Sequence, residues 1–248
     1  MSLRASCTSR ALIKPTSLTG PLLLVTFCAG VLDTTTYFNF GTFASNQTGN
    51  TLILISVLCG LHPAKTDIGL TGASLLAFLA FGFVSARLSI QCGRSRRRGW
   101  LMLSLACQNL LLLLAAALVS SRTVVLPSQW DWIIIALLAA SAGVQVVMAR
   151  TSANPEIPSA MLTSPFIDFM IDPRLFKGVS APESRPRNVR LLYLVSLTGG
   201  AFVGGGLHRA GGTLTVLWVA FGLKMIVMAW ICLARNDEEE LPVTRVQQ

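Results

Sequence analysis

Charge is scarce in this chain. Only 12% of its 248 residues are Asp, Glu, Lys or Arg, against roughly 25% in ordinary soluble domains. Acids number 11 and histidines two. His62 and His208 stand far apart without a ligand cluster around them, which gives no basis for a metal centre. HExxH, GxSxG, Walker A and GxGxxG are all missing, so neither an enzyme centre nor a cofactor is expected. The six cysteines have no CxxC spacing and mostly sit in apolar runs, where they read as small buried hydrophobes. No basic patch interleaved with aromatics appears, so the net charge of +9 does not point to nucleic acid.

What remains is apolar: 52% of the residues are hydrophobic. Several runs approach or exceed the roughly 17–25 residues that cross a bilayer core, which makes the chain an integral membrane protein. Full spans are expected at about Leu18–Phe40, Ile68–Leu88, Trp100–Val119, Trp130–Ala149, Leu191–Leu207 and Thr213–Ala234. Thr51–Leu61 and Ile157–Ile171 are apolar but too short, and the second contains Pro158, Pro165 and Asp168. Residues 1–17 carry Arg4, Arg10 and Lys14 without an acid. They read as a cytoplasmic tail in preference to a cleaved signal or a mitochondrial transit peptide. Residues 236–248 form an acidic tail starting at Asp237.

Charge chooses between six and eight crossings. With eight, the loop holding Arg94, Arg96, Arg97 and Arg98 lies opposite the basic N-terminal tail. With six, the tail, that loop, the segment 150–190 and the C-terminus share one side, leaving Lys65, Arg122 and Arg209 on the other. Six obeys the positive-inside rule and places both termini in the cytoplasm. The expected fold is therefore all-α: a polytopic membrane bundle of about six helices with two re-entrant or half-helices, in a plasma membrane or endomembrane.

A weak internal repeat accompanies this count. Ala29-Gly30-Val31 recurs as Ala142-Gly143-Val144, Thr48 and Thr163 occupy similar places in the short segments, and Phe83-Val84-Leu88 matches Phe202-Val203-Leu207. Units of about 18–119 and 130–234, within a membrane domain of 18–235, would each contain three crossings. Such units face opposite ways, a plan common among secondary transporters.

The stretch Ala29–Thr51 interrupts the first span with polar groups. Asp33 is an acid inside a span, which by default points to a proton or cation site. Asn46, Gln47, Thr48, Gly49 and Asn50 open the first half-helix, where a cap from Thr48 or Asn50 leaves backbone N–H groups directed into the membrane. Asn46-Gln47-Thr48 is also a glycosylation sequon, set too deep to be used. Lys224, near the middle of the last span, could pair with Asp33, snorkel to an interface or bind an anionic group of a solute. Gln145 stands before the second half-helix, with Arg150 beyond it. Gln108 and Asn109 read as interhelical hydrogen-bonding groups. Gly200, Gly204, Gly205 and Gly206, with Gly82 and Ala86 in the other unit, form small-residue faces suited to close packing or to a homo-oligomer.

AGVLDTTTYFNFGTFASNQTGNT resembles the signature of the YoaK-like membrane proteins, domain of unknown function 1275. Gly30, Asp33, Tyr37, Gly41 with Phe43, and Gln47-Thr48-Gly49-Asn50 carry the likeness. Gly143, Gln145, Arg150 and Thr163 resemble a second element, which departs from the family pattern at Thr163-Ser164-Pro165. The resemblance spans about residues 18–235 and implies about six spans without naming a substrate. The functional expectation is a secondary transporter or permease for a small polar or anionic solute, proton-coupled through Asp33. The alternative is a non-transporting membrane scaffold or sensor.

Overall fold

The computed structural model describes residues 12–61, 67–92, 97–121, 126–152 and 154–234. Arg4, Arg10, Lys65, Arg94, Arg96, Arg122, His62, Cys7 and the acidic tail from Asp237 lie outside these ranges, as do the expectations that rest on them. Among the described residues the regular elements are helical: α1 Pro15–Phe40, α2 Gln47–Leu58, α3 Ile68–Gln91, α4 Arg98–Ser120, α5 Asp131–Thr151, α6 Thr163–Met170 and α7 Arg185–Leu233. A 3-10 turn, Pro182–Ser184, leads into α7.

Five of these helices are long and apolar enough to cross a bilayer. The last provides two crossings. α7 has 49 residues, more than twice the length of about 20 that spans the hydrocarbon core. It breaks at Gly212, where φ 71° and ψ −173° suit only a residue without a Cβ. The resulting arms, 185–211 and 213–233, form a hairpin around α1. Gly20, near the start of α1, lies against Trp230, while Asn39, at its end, donates to Thr213 at 2.8 Å. The second arm therefore runs antiparallel to α1. With that division there are six spanning arms, and the chain is a multi-pass helical bundle.

Several boundaries move from their expected places. α1 starts at Pro15, since a proline in the first turn gives up only an N–H that has no helical partner. α2 starts at Gln47, ahead of the apolar stretch from Thr51, and its cap is Asn46 and not Thr48 or Asn50, which lie inside the helix. The second short helix shrinks to eight residues, Thr163–Met170, with Pro158 outside and Pro165 in its first turn. The cysteines divide: Cys28 is buried, Cys59 and Cys232 are exposed, and Cys92 is disulfide-bonded. Exposed positions on a bilayer-spanning helix can face lipid tails, so apolar character does not imply burial within the protein.

Two backbone-to-backbone contacts organise the bundle. A Cβ added at Gly30 would lie 2.2 Å from the Leu197 carbonyl oxygen and 2.8 Å from the Ala201 nitrogen. A Cβ at Gly143 would lie 2.5 Å from the Phe78 carbonyl oxygen and 3.1 Å from the Gly82 nitrogen. Gly200 and Gly204 meet the carbonyls of Phe27 and Val31 as closely. Thus α1 packs on the first arm of α7 and α5 packs on α3, each through glycine. Gly200, Gly204 and Gly82 contribute to contacts inside the chain. Two apolar clusters flank this level, one around Leu22, Trp100, Tyr193 and Val227, the other around Val31, Leu112, Ile135 and Leu217.

Candidate functional site

After α1 the chain doubles back. Gly41, at φ 63°, ends the helix and returns its N–H to the Tyr37 carbonyl. Ser45 then donates to Asp33 twice, from its backbone N–H to Oδ1 at 2.8 Å and from its hydroxyl to Oδ2 at 2.5 Å. Asp33 lies about two turns, or ~10 Å, before the end of α1, so α2 starts well inside the span. The Asn46 side chain caps it by accepting from the Gly49 N–H at 3.1 Å.

Asn50 fixes this return. It is fully buried, and its Oδ1 accepts from the Thr42 hydroxyl at 2.7 Å and the Phe43 N–H at 2.8 Å. Its Nδ2 faces the Phe43 carbonyl, Gln47 Oε1 and the Ser74 hydroxyl at 2.8, 2.9 and 3.1 Å. Gln47 donates to the Ala44 carbonyl at 3.0 Å, and Ser74 to the Phe43 carbonyl at 2.7 Å. A backbone turn inside a membrane needs such partners, because no bulk water is available to satisfy it. Ser74 is in α3, so the start of α2 packs beside the interior of α3.

The second return is built differently. Gln145 Nε2 donates to the Ser159 hydroxyl at 2.8 Å and to the Val25 carbonyl at 3.3 Å. Ser159 has φ 76°, an unfavourable conformation for an L-residue. Tyr193, on the first arm of α7, accepts from the Met161 N–H at 3.0 Å and donates to the Met161 carbonyl. α6 follows without a side-chain cap. Beyond it, Arg190 pairs with Asp172 at 2.9 Å. Residue 161 thus meets Tyr193 while Asp172 meets the earlier Arg190, so α6 begins deeper than it ends.

The two returns border one cleft of about 580 Å³, within the range of small-molecule sites. Asp33, Thr34 and Tyr37 line it from α1, Asn46, Thr48 and Gly49 from the start of α2, and Leu162 and Thr163 from the start of α6. Leu197, Thr198 and Ala201 close it from α7. Tyr37 and Phe43 stack along its wall with ring centroids 4.7 Å apart and planes at 13°.

Behind Asp33 lies a void of about 10 Å³, near the lower limit for one water. Asp33, Ser45, Ser141, Gln145 and Lys224 line it. Lys224 is 1% exposed and donates to Gln108 Oε1 at 3.0 Å and to the Ser141 hydroxyl at 3.2 Å. Among the described residues no ion pair joins it to Asp33; the two face each other across the void.

The residues expected at a site therefore occupy three places. Asp33, Asn46, Thr48 and Gly49 border the cleft. Gln47 and Asn50 turn away from it to hold the return. Gln145 and Lys224 sit behind it, at the void. Ser45, Ser141, Ser159 and Tyr193 were not singled out in the sequence. One signal was available: the chain has two tyrosines, and both Tyr37 and Tyr193 are at the returns. Among the described residues no three metal-ligating side chains come together.

No curated protein and no solved structure matches the chain. The model of the family described as protein of unknown function (DUF1275) matches residues 21–230, nearly all of the helical bundle, and the chain belongs to that family.

Proposed function

We propose that this protein is a secondary transporter or permease that holds a small polar solute in the cleft between the two returns. One observation carries the reading: a single cleft is bordered by Asp33 and by the starts of both short helices. Helix starts inside a membrane supply N–H groups and a positive dipole end to a bound solute. An intramembrane carboxylate beside such a site is suited to exchanging a proton with it.

An inverted pair of units fits this arrangement. Gly30 packs on Leu197 and Ala201 as Gly143 packs on Phe78 and Gly82. Ser74 ties down the first return and Tyr193 the second. Phe78 with Leu197, Gly82 with Ala201, and Ser74 with Tyr193 all share the sequence offset that relates Phe83 to Phe202. Three crossings per unit would make the units face opposite ways, with the solute between them and with both termini in the cytoplasm. A plasma membrane or endomembrane is the proposed location.

The test begins with a thermal-shift screen of metabolites on the purified protein, since a ligand stabilises the state that it binds. Flux of the hit into proteoliposomes is then measured. The reading requires flux that falls at least about tenfold in Asp33→Asn and is unchanged in Lys177→Ala, a surface ion-pair variant. Binding without flux would replace transport by a sensor role.

A further inference from the structure

We infer that the solute carries a cation next to a ring or other flat apolar group: a protonated amine is the chemistry that this cleft recognises, and an anion is not. The inference rests on the cleft being the solute site, and concerns the sign of charge and the shape that it accepts.

Three features of the lining carry it. Among the described residues that border the cleft, Asp33 is the only carboxylate, and none of them is a Lys, Arg or His. Each Asp33 oxygen takes one hydrogen bond from Ser45, and a carboxylate oxygen accepts about two, so acceptor capacity remains for an ammonium group. The rest of the wall is mainly apolar, with Leu52, Met161, Leu162 and Leu197 opposite or beside the Tyr37–Phe43 pair. Stacked rings present faces that attract cations and flat apolar groups alike.

The nearest cationic side chain and the donors of the first return are already committed. Lys224 lines the closed void and not the cleft, and is held by Gln108 and Ser141. A solute therefore meets the acid before the lysine, and Coulomb attraction favours the nearer charge. At the α2 return the Ser45 N–H is bonded to Asp33 and the Gly49 N–H to the Asn46 cap. A solute anion would have to sit beside the Asp33 carboxylate. The hydroxyls of Thr34, Thr48, Thr163 and Thr198 give the solute neutral hydrogen-bonding partners around the charge.

The experiment compares three probes of one shape: phenethylamine, 2-phenylethanol and phenylacetate. Each is added to the full chain in detergent, and the loss of the monodisperse species on heating is followed. At saturation phenethylamine should raise Tm by about 3 °C or more, with a smaller shift for the alcohol and none for phenylacetate. Asp33→Asn should reduce the phenethylamine shift to that of the alcohol. If this variant does not fold, Thr48→Phe, which fills the cleft from the start of α2, should remove the shift. A larger shift with phenylacetate than with phenethylamine overturns the charge assignment and leaves the solute cleft standing. No shift with any probe overturns the inference, whereas the transport reading is judged separately by Asp33-dependent flux.

Discussion

The two returns do the same mechanical task with different materials. The first is held by amides: Asn50 alone secures Thr42, Phe43 and Ser74, and Asn46 caps a helix of 12 residues. The second leans on Gln145 and Tyr193, includes the unfavourable Ser159, and leads to an uncapped helix of eight residues. Acid, cap and aromatic pair are all on the first side of the cleft. The difference teaches that two returns bordering one cleft need not share their chemistry: the first brings the acid, the capped helix start and the aromatic pair to it, while the second brings Leu162, Thr163 and an uncapped helix start.

The largest expected effect is at Asn50. Asn50→Leu leaves several buried groups without partners and should destabilise the protein by about 3 kcal/mol or more. Gln145→Leu, which strips partners only from Ser159 and Val25, should cost about 1 kcal/mol. Unfolding in mixed micelles measures both, and equal losses would remove the proposed asymmetry. Gly30→Ala and Gly143→Ala come next. Each pushes a methyl group into a carbonyl of the facing helix, at a cost of about 2 kcal/mol. Similar losses at the two positions would support equivalent roles; a loss at one alone would break the parallel.

Asp33 and Lys224 provide a smaller and more specific effect. Removing either charge leaves the other facing the void without its counterpart. Asp33→Asn combined with Lys224→Met should therefore lose about 1 kcal/mol less than the sum of the single changes. Strict additivity in the same assay would show that the void does not couple them. The smallest effect is at Ser159, where Ser159→Gly relieves the left-handed backbone but removes the hydroxyl that accepts from Gln145, so the net change in the same assay should stay within about 0.5 kcal/mol.

Much of this architecture was legible in the sequence because a bilayer imposes strong signals. Long apolar runs located the spans, a Gly-Thr-rich interruption marked the first return, and Pro158, Pro165 and Asp168 marked the second. Asp33 and Thr48 stood out because polar groups are conspicuous in such runs. Side-chain direction was not legible. Gln47, Thr48, Gly49 and Asn50 are consecutive, yet Thr48 and Gly49 border the cleft while Gln47 and Asn50 pack behind it. Which side of a tight return a residue takes depends on where the turn begins, and the cap expected at Thr48 or Asn50 is at Asn46. Lys224 shows the same limit: its place on the last span was plain, but its partners on α4 and α5 come from packing between distant segments.

The account depends on the short helices entering from opposite faces of the membrane. That claim is tested by thiol labelling with a membrane-impermeant maleimide, using two otherwise cysteine-free variants. One retains Cys59, exposed just after α2; the other carries Gly178→Cys, in the open segment after α6. Six crossings predict that Cys59 is labelled only from the outer face of the cell or the lumenal face of an organelle, and the residue 178 thiol only from the cytoplasmic face. Labelling of both from the same face would mean that the short helices cross the membrane, and would contradict the shared cleft between inverted returns.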